Sequence, residues 1–219
     1  MKTIEGLSKP KVLLIISGKR KCGKDFLVRL FRERFPPKDL LTFSLSAPIK
    51  ATYAREHSLD YDQLLTDSPY KEHYRAQMVH WSDAIRAHDP YCFHRLAITQ
   101  AVARAASGEG GEEEKSSKPI WLLTDARRPA DIDYFADPSE IDMSRSKVLR
   151  LRISSSDATR SARGWVFTPG VDDQQTECAL DGAQLQHLWH WHLHNDGTKE
   201  ELLAQVQPIF AEVLHTVGQ

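Results

Sequence analysis

The chain has 219 residues, a formal net charge of −1, 41% hydrophobic and 27% charged residues, which excludes a disordered chain and leaves no global basic excess to hold a nucleic acid. Its longest apolar run, residues 12–16, is too short to cross a bilayer, and residues 1–11 lack the apolar stretch of a secretory signal. The expectation is a cytosolic protein with no membrane and no nucleic-acid partner, large enough to bury one substantial core.

Residues 12–16 are apolar and partly β-branched, and residues 26–31 are amphipathic. Between them lies Gly18-Lys19-Arg20-Lys21-Cys22-Gly23-Lys24-Asp25, which has the G-x-x-x-x-G-K spacing of a P-loop. Strand, loop and helix in that order let the backbone amides and the helix N-terminus converge on phosphate. Lys24 then reaches the β- and γ-phosphates of a nucleotide. Asp25 stands where Ser or Thr would offer magnesium a hydroxyl; its carboxylate either binds the ion, directly or through water, or repels phosphate. Cys22, Cys92 and Cys178 show no paired spacing and point to a reducing compartment. Cys22 reads either as a thiol made more acidic by its cationic flanks or as a small residue in a tight loop.

Farther along, residues 40–45 read as a second strand, and residues 46–57, opened by Ser46-Ala47-Pro48, as a helix. Residues 68–88 repeat Tyr70, Tyr74, Met78, Trp81 and Ile85 at helical spacing, with Lys71 and Arg75 on one flank. A further helix spans 91–106, and residues 107–118 are read as a flexible acidic surface loop. Residues 119–124 form a third strand that delivers Asp125-Ala126-Arg127-Arg128 at its end. That string is either a site element, with Asp for magnesium-bound water and Arg for phosphate, or a solvated turn capping a helix at Pro129.

Residues 147–153 read as a fourth strand. In residues 154–164, Arg160 and Arg163 share one helix face, as a lid closing over phosphates requires. Residues 188–195 alternate, placing His190, His192 and His194 on one face of a fifth strand; such a row is either structural or a metal site. Residues 198–215 form a last helix, in which Pro208 should produce a kink or a break. Successive β-to-α crossovers predict a parallel sheet with ligands at the carboxyl ends of its strands.

The strings SGKRKCGKDF (17–26), YKE (70–72), DARRPADI (125–132) and RGWVFTPGVDDQQTEC (163–178), with Asn195 at a strand end, make the chain similar to the animal-type phosphomevalonate kinases, of the nucleoside monophosphate kinase superfamily. The resemblance covers nearly the whole chain. It implies a three-layer α/β/α P-loop kinase fold: one domain over 1–219, a central parallel sheet of about five strands, an acceptor-binding helical part near 46–106 and a mobile arginine-bearing lid near 154–164. It also implies the transfer of phosphate from ATP, with Mg2+, to (R)-5-phosphomevalonate, giving (R)-5-diphosphomevalonate in isoprenoid and sterol biosynthesis.

The residues that match the family's functional positions follow. For ATP they are Gly18 to Asp25, with Arg152, Arg163, Asp196 and Gln205; where the family pattern often has His, this chain has Asp196. For the acceptor they are Lys50, Lys71, Arg75, Arg86, Arg127, Arg128 and Asn195. For catalysis they are Lys24, Arg20, Lys21, Arg127, Arg160 and Arg163, and for magnesium Asp25 or Asp125. A monomer is expected, in the cytosol, with a peroxisomal pool left open. Two other readings stand beside this one: a different small-acid or nucleoside monophosphate kinase of the superfamily, and a P-loop protein that binds nucleotide without transferring anything.

Overall fold

A computed structural model describes residues 8–66, 68–107 and 118–219. The acidic loop expected at 107–118 lies, apart from its two end residues, outside the described residues. Five strands, β1 (Val12–Ser17), β2 (Leu40–Phe43), β3 (Ile120–Ala126), β4 (Lys147–Ser154) and β5 (Trp191–His194), form one sheet in the order β2-β3-β1-β4-β5. Every neighbouring pair is parallel.

All six residues of β1 are buried, as a central parallel strand covered on both faces requires. Its side chains alternate between two cores. Val12, Leu14 and Ile16 pack with α1 (Lys24–Arg34) and α9 (Lys199–Gly218) through Leu27, Phe31, Val206 and Phe210. Leu13 and Ile15 pack on the other face with Ala97, Ile98 and Ala101 of α5 (Cys92–Ala106). Helices on both faces of a parallel sheet make the three layers. A smaller core of Tyr53, Ala54, Leu64 and Met78 joins α2 (Ser46–Glu56), α3 (Tyr61–Leu65) and α4 (Pro69–His88) beside the sheet's carboxyl edge. Ser68 caps α4 by accepting a hydrogen bond from the Lys71 N–H, with Pro69 in the first turn.

The elements differ from the sequence reading chiefly at α3, β2, β5 and Pro208. Helix α3 was not anticipated, although Asp60 accepts from the Gln63 N–H at 3.1 Å as its N-cap. Strand β2 stops at Phe43 because the N–H groups of Leu45 and Ser46 turn to the Asp125 carboxylate, at 2.7 and 3.0 Å. Strand β5 starts only at Trp191: Trp189 leaves the alternation to pack with Ile132 and Leu180, and Ala183–Leu188 winds as a 3-10 turn. Pro208 does not break α9. It is exposed, and the buried stripe of Leu202, Val206, Ile209, Phe210 and Val213 continues on both sides of it, so packing outweighs the one lost backbone bond.

The register also positions chemistry. β1 and β3 slip against each other between Ile15 and Ser17, which brings Ser17 opposite Ala126. The Ser17 hydroxyl then donates to the Ala126 carbonyl at 2.7 Å, pinning the end of β3 beside the start of the loop.

Candidate active site

The loop from Gly18 to Gly23 leaves β1 and enters α1. Lys21 and Gly23 adopt left-handed φ values of 59° and 95°. Gly23 has a second reason to be glycine: a Cβ there would lie 2.0 Å from Asn195 Nδ2. At Gly18, a Cβ would sit 2.6 Å from Cys22 Sγ and 2.7 Å from the Ile153 carbonyl.

Three successive loop carbonyls are held by side-chain donors. Arg160 Nε donates to Arg20 O at 2.9 Å, Arg163 Nη1 to Lys21 O at 3.4 Å, and Asn195 Nδ2 to Cys22 O at 2.9 Å, where the Ser155 hydroxyl also donates at 3.1 Å. Because a trans peptide holds its C=O and N–H on opposite sides, the N–H groups of Lys21 and Gly23 face the other way. Gly23 caps α1 without a side-chain bond, so the first turn of the helix keeps its amides for an anion.

A cleft of about 670 Å³ opens in front of this loop. It is lined by Lys19, Arg20, Lys21, Gly23, Lys24 and Asp25 on the loop side, and by Lys50, Lys71, Arg75, Arg86, Asp125, Arg127, Arg128 and Arg163 around the rest. Lys24 is nearly buried, with Nζ 3.5 Å from the exposed Asp25 carboxylate. Burial, followed by the neighbouring cations Lys71, Arg75 and Lys24 and against the pull of Asp125, lowers Lys50 to about 8.

At the far end of the cleft, Arg128 pairs with Asp83 at 2.7 Å, and Arg86 lies 5.0 Å over the Phe93 ring. Arg86 Nε and Arg128 Nη2 are buried without a hydrogen-bond partner. The turn bearing Arg127 and Arg128 is held from behind by the buried Asp131 of the short helix α6 (Pro129–Asp133). One of its carboxylate oxygens accepts both arginine backbone N–H groups, at 2.7 and 3.0 Å, and the other meets His94 Nε2 at 3.1 Å. Burial opposes the charge on Asp131, but the His94 contact and these donors hold its carboxyl below the usual range.

Several expected site residues stand outside the cleft lining. Arg160 is 5% exposed and lies 3.8 Å over the Trp165 ring, in the short helix α7 (Asp157–Ala162). Its guanidinium braces the loop from outside the cleft. Arg152 donates to the Ser17 hydroxyl at 2.6 Å and to Asp181 at 2.5 Å, and Asp181 also holds Lys19 at 2.5 Å. Asn195 is committed to the Cys22 carbonyl, Asp196 accepts from the Ser156 N–H at 2.7 Å, and Gln205 bonds both backbone groups of His194. Gly18 and Cys22 lie beneath the loop; burial pushes the Cys22 thiol up, against the cations Lys24, Arg127 and Arg152. Of the two readings of Cys22, the structure supports the small buried residue. Asp125, expected near magnesium, spends its carboxylate on the amides that open α2. Among the described residues, no three His, Cys, Asp or Glu side chains are grouped to hold a metal, the histidine row included.

Asp83, Asp131 and Asp181 were not singled out in the sequence, and neither were two further acids at the loop. Asp172 takes Arg20 Nη1 at 3.2 Å, Trp165 Nε1 at 2.9 Å and the Thr168 N–H at 2.9 Å. Glu177, in the short helix α8 (Gln175–Cys178), accepts from the Arg20 N–H at 3.0 Å and from the Arg127 guanidinium. The available signal was slight: Asp172, Asp173 and Glu177 follow Arg160 and Arg163 only after the largely apolar residues 165–171.

A helix N-terminus behind a central parallel strand, facing a second cluster of buried guanidinium groups across one cleft, belongs to the class of P-loop kinases with a small anionic acceptor. A family model described as phosphomevalonate kinase matches residues 16–140. A Drosophila melanogaster protein described as phosphomevalonate kinase is 41% identical over 169 residues, which covers 77% of this chain and 81% of that relative. The chain belongs to the phosphomevalonate kinase family.

Proposed function

We propose that the cleft transfers the γ-phosphoryl group of ATP to the phosphate of (R)-5-phosphomevalonate, releasing ADP and (R)-5-diphosphomevalonate. The observation that carries the acceptor side is the pair of buried, unpartnered donors Arg86 Nε and Arg128 Nη2 in a cleft lined by Lys50, Lys71 and Arg75. Buried donors left without an acceptor are costly unless an anion completes them. A nucleobase gives guanidinium groups far less to bind than a phosphate and a carboxylate do.

The acceptor phosphate loses its second proton near pH 6, so its oxygen attacks the γ-phosphorus without a general base. The bond from γ-phosphorus to the bridging oxygen breaks, and its electron pair leaves with ADP. The protein's task is to position the groups and neutralise their charge. The amides of Lys21, Gly23 and the first turn of α1 cradle the donor phosphates, and Lys24 spans their β and γ oxygens. Arg127, Arg128 and Arg86 grip the acceptor.

The exposed Asp25 carboxylate beside Lys24 suits a magnesium ion carried mainly by nucleotide phosphates, which needs only one or two protein carboxylates. When bound, such an ion would supply charge neutralisation for the transferring phosphoryl group. Asp125, already committed to two amides, is the weaker ligand. The proposal includes a monomer working in the cytosol on these small molecules; among the described residues, no helix is long and apolar enough to cross a membrane.

The test is a coupled ADP-release assay with ATP and magnesium against phosphomevalonate, mevalonate and a panel of nucleoside monophosphates. Turnover is expected on phosphomevalonate alone. Turnover on a monophosphate overturns the acceptor assignment, and saturable nucleotide binding with no product from any acceptor overturns the kinase reading. Lys24→Met is expected to lower kcat by about 10²–10³-fold, the usual cost of one preorganised charge at such a site; normal turnover by this variant would remove Lys24 from the mechanism.

A further inference from the structure

Glu177 is a carboxylate in a place that should favour donors. Its side chain is 5% exposed, it lines the cleft, and each of its oxygens has a different partner. Oε2 accepts the backbone N–H of Arg20, in the phosphate-binding loop, at 3.0 Å. Oε1 accepts Nη1 of Arg127, on the turn after β3. The neighbouring Thr176 carbonyl accepts from the same Nη1 at 3.3 Å. These bonds use one corner of the Arg127 fork and leave the edge made by Nε and Nη2 for a ligand.

We propose that Glu177 is a positioning residue that sets the acceptor-holding Arg127 relative to the nucleotide loop. Burying a carboxylate among phosphate-binding groups is unfavourable unless its partners are well placed, and here they belong to the two halves of the cleft. Asp172 keeps the segment in place by bonding Arg20 Nη1 at 3.2 Å and the Thr168 N–H at 2.9 Å. Glu177 therefore reaches Arg127 from a base that is already tied to the loop. The donor phosphate is held by the loop and the acceptor phosphate by Arg127, so a link between them controls the separation and angle of the two reacting groups. An error of about 1 Å in that separation is enough to cost about 10²-fold in rate.

This inference rests on the reading of Arg127 as an acceptor ligand, and the experiment separates the two. Glu177→Gln keeps the shape and an acceptor for the Arg20 N–H but loses the charge that holds Arg127. Its kcat is expected to fall about 10- to 100-fold, with both KM values within about threefold and the melting temperature unchanged. Glu177→Asp, which keeps the charge but shortens the reach, is expected to lose kcat as well. Arg127→Gln and the double variant complete a cycle. If the two side chains act as a unit, the double variant is no slower than Arg127→Gln alone.

Wild-type kcat in Glu177→Gln overturns the inference, as do additive losses or a kcat loss that tracks a fall in melting temperature. Faster turnover with tighter acceptor binding also overturns it, because Glu177 would then be a stand-in anion displaced by substrate. If Arg127→Gln leaves both kcat and the acceptor KM untouched, the assignment of Arg127 fails, and the link fails with it.

Discussion

Lys50 lies in the cleft with a side-chain pKa of about 8, depressed by burial and then by the cations Lys71, Arg75 and Lys24. Below that pH its ammonium adds to the field that attracts an anionic acceptor; as pH rises through 8 the charge is lost. For the free enzyme, kcat/KM for the acceptor is therefore expected to fall on the alkaline side with a midpoint near 8. In Lys50→Arg the guanidinium stays charged, so that limb should disappear from the pH profile. An unchanged profile would mean that Lys50 takes no part in acceptor binding. The same shift has a stability consequence of opposite sense. Between about 8 and the ordinary lysine value of 10.5 the unfolded chain binds more protons at this position, so Lys50 burdens the fold below pH 8 and ceases to do so as pH rises through that window. A lysine whose charge costs stability in the free protein is expected to recover part of that cost when an anionic phosphate binds beside it.

At the scale of elements, the phosphate loop is shaped from outside as much as by its own glycines. Arg160 in α7, Arg163 just after it and Asn195 just after β5 hold three successive carbonyls. Asn195→Ala is expected to release the Cys22 carbonyl, raise the KM for ATP about tenfold, the scale of one lost hydrogen bond to a positioned group, and leave the acceptor KM near its original value. Parallel titrations of the two substrates check this; an acceptor KM that rises alone would return Asn195 to the acceptor side. Gly23→Ala should fare worse and should not be rescued by Asn195→Ala, since removing the 2.0 Å clash leaves a φ of 95° that alanine resists.

The loop's position was legible in the sequence, because an apolar run before G-x-x-x-x-G-K and an amphipathic run after it admit few other structures. The partners of its arginines were not legible. The spacing of Arg160 and Arg163 shows that two cations share a face; whether they meet substrate or backbone carbonyls depends on where α7 docks. Glu177 was hidden for the same reason, since its partners lie 157 and 50 residues away in sequence. The alternation of residues 188–195 misled about the start of β5, because a strand pattern cannot show that Trp189 belongs to another core.

Over the whole molecule the formal charge is only −1, yet lysines and arginines in the cleft far outnumber its four acidic residues, Asp25, Asp125, Asp131 and Glu177. The compensating carboxylates must lie mainly on other surfaces, so the cleft's field depends on how far charges reach through solvent. At about 0.1 M salt the screening length is near 10 Å, shorter than the distance across a folded chain of this size, for which the radius of gyration alone is about 17 Å. An anion entering the cleft then meets the local cations without the distant acids. Near 0.01 M the length grows to about 30 Å, and the nearly neutral whole begins to count. Two regimes follow for kcat/KM measured at fixed magnesium with sodium chloride as the variable. The value should fall between about 0.05 and 0.5 M as the local field is screened, and level off below about 0.01 M, where attraction by the cleft and repulsion by the remaining surface approach balance. The kcat should change little, because the bound phosphates and their partners are shielded from salt. A flat response throughout would mean that substrates enter without steering. A rise that continues to the lowest salt would mean that the carboxylates lie farther from the cleft mouth than this charge separation requires.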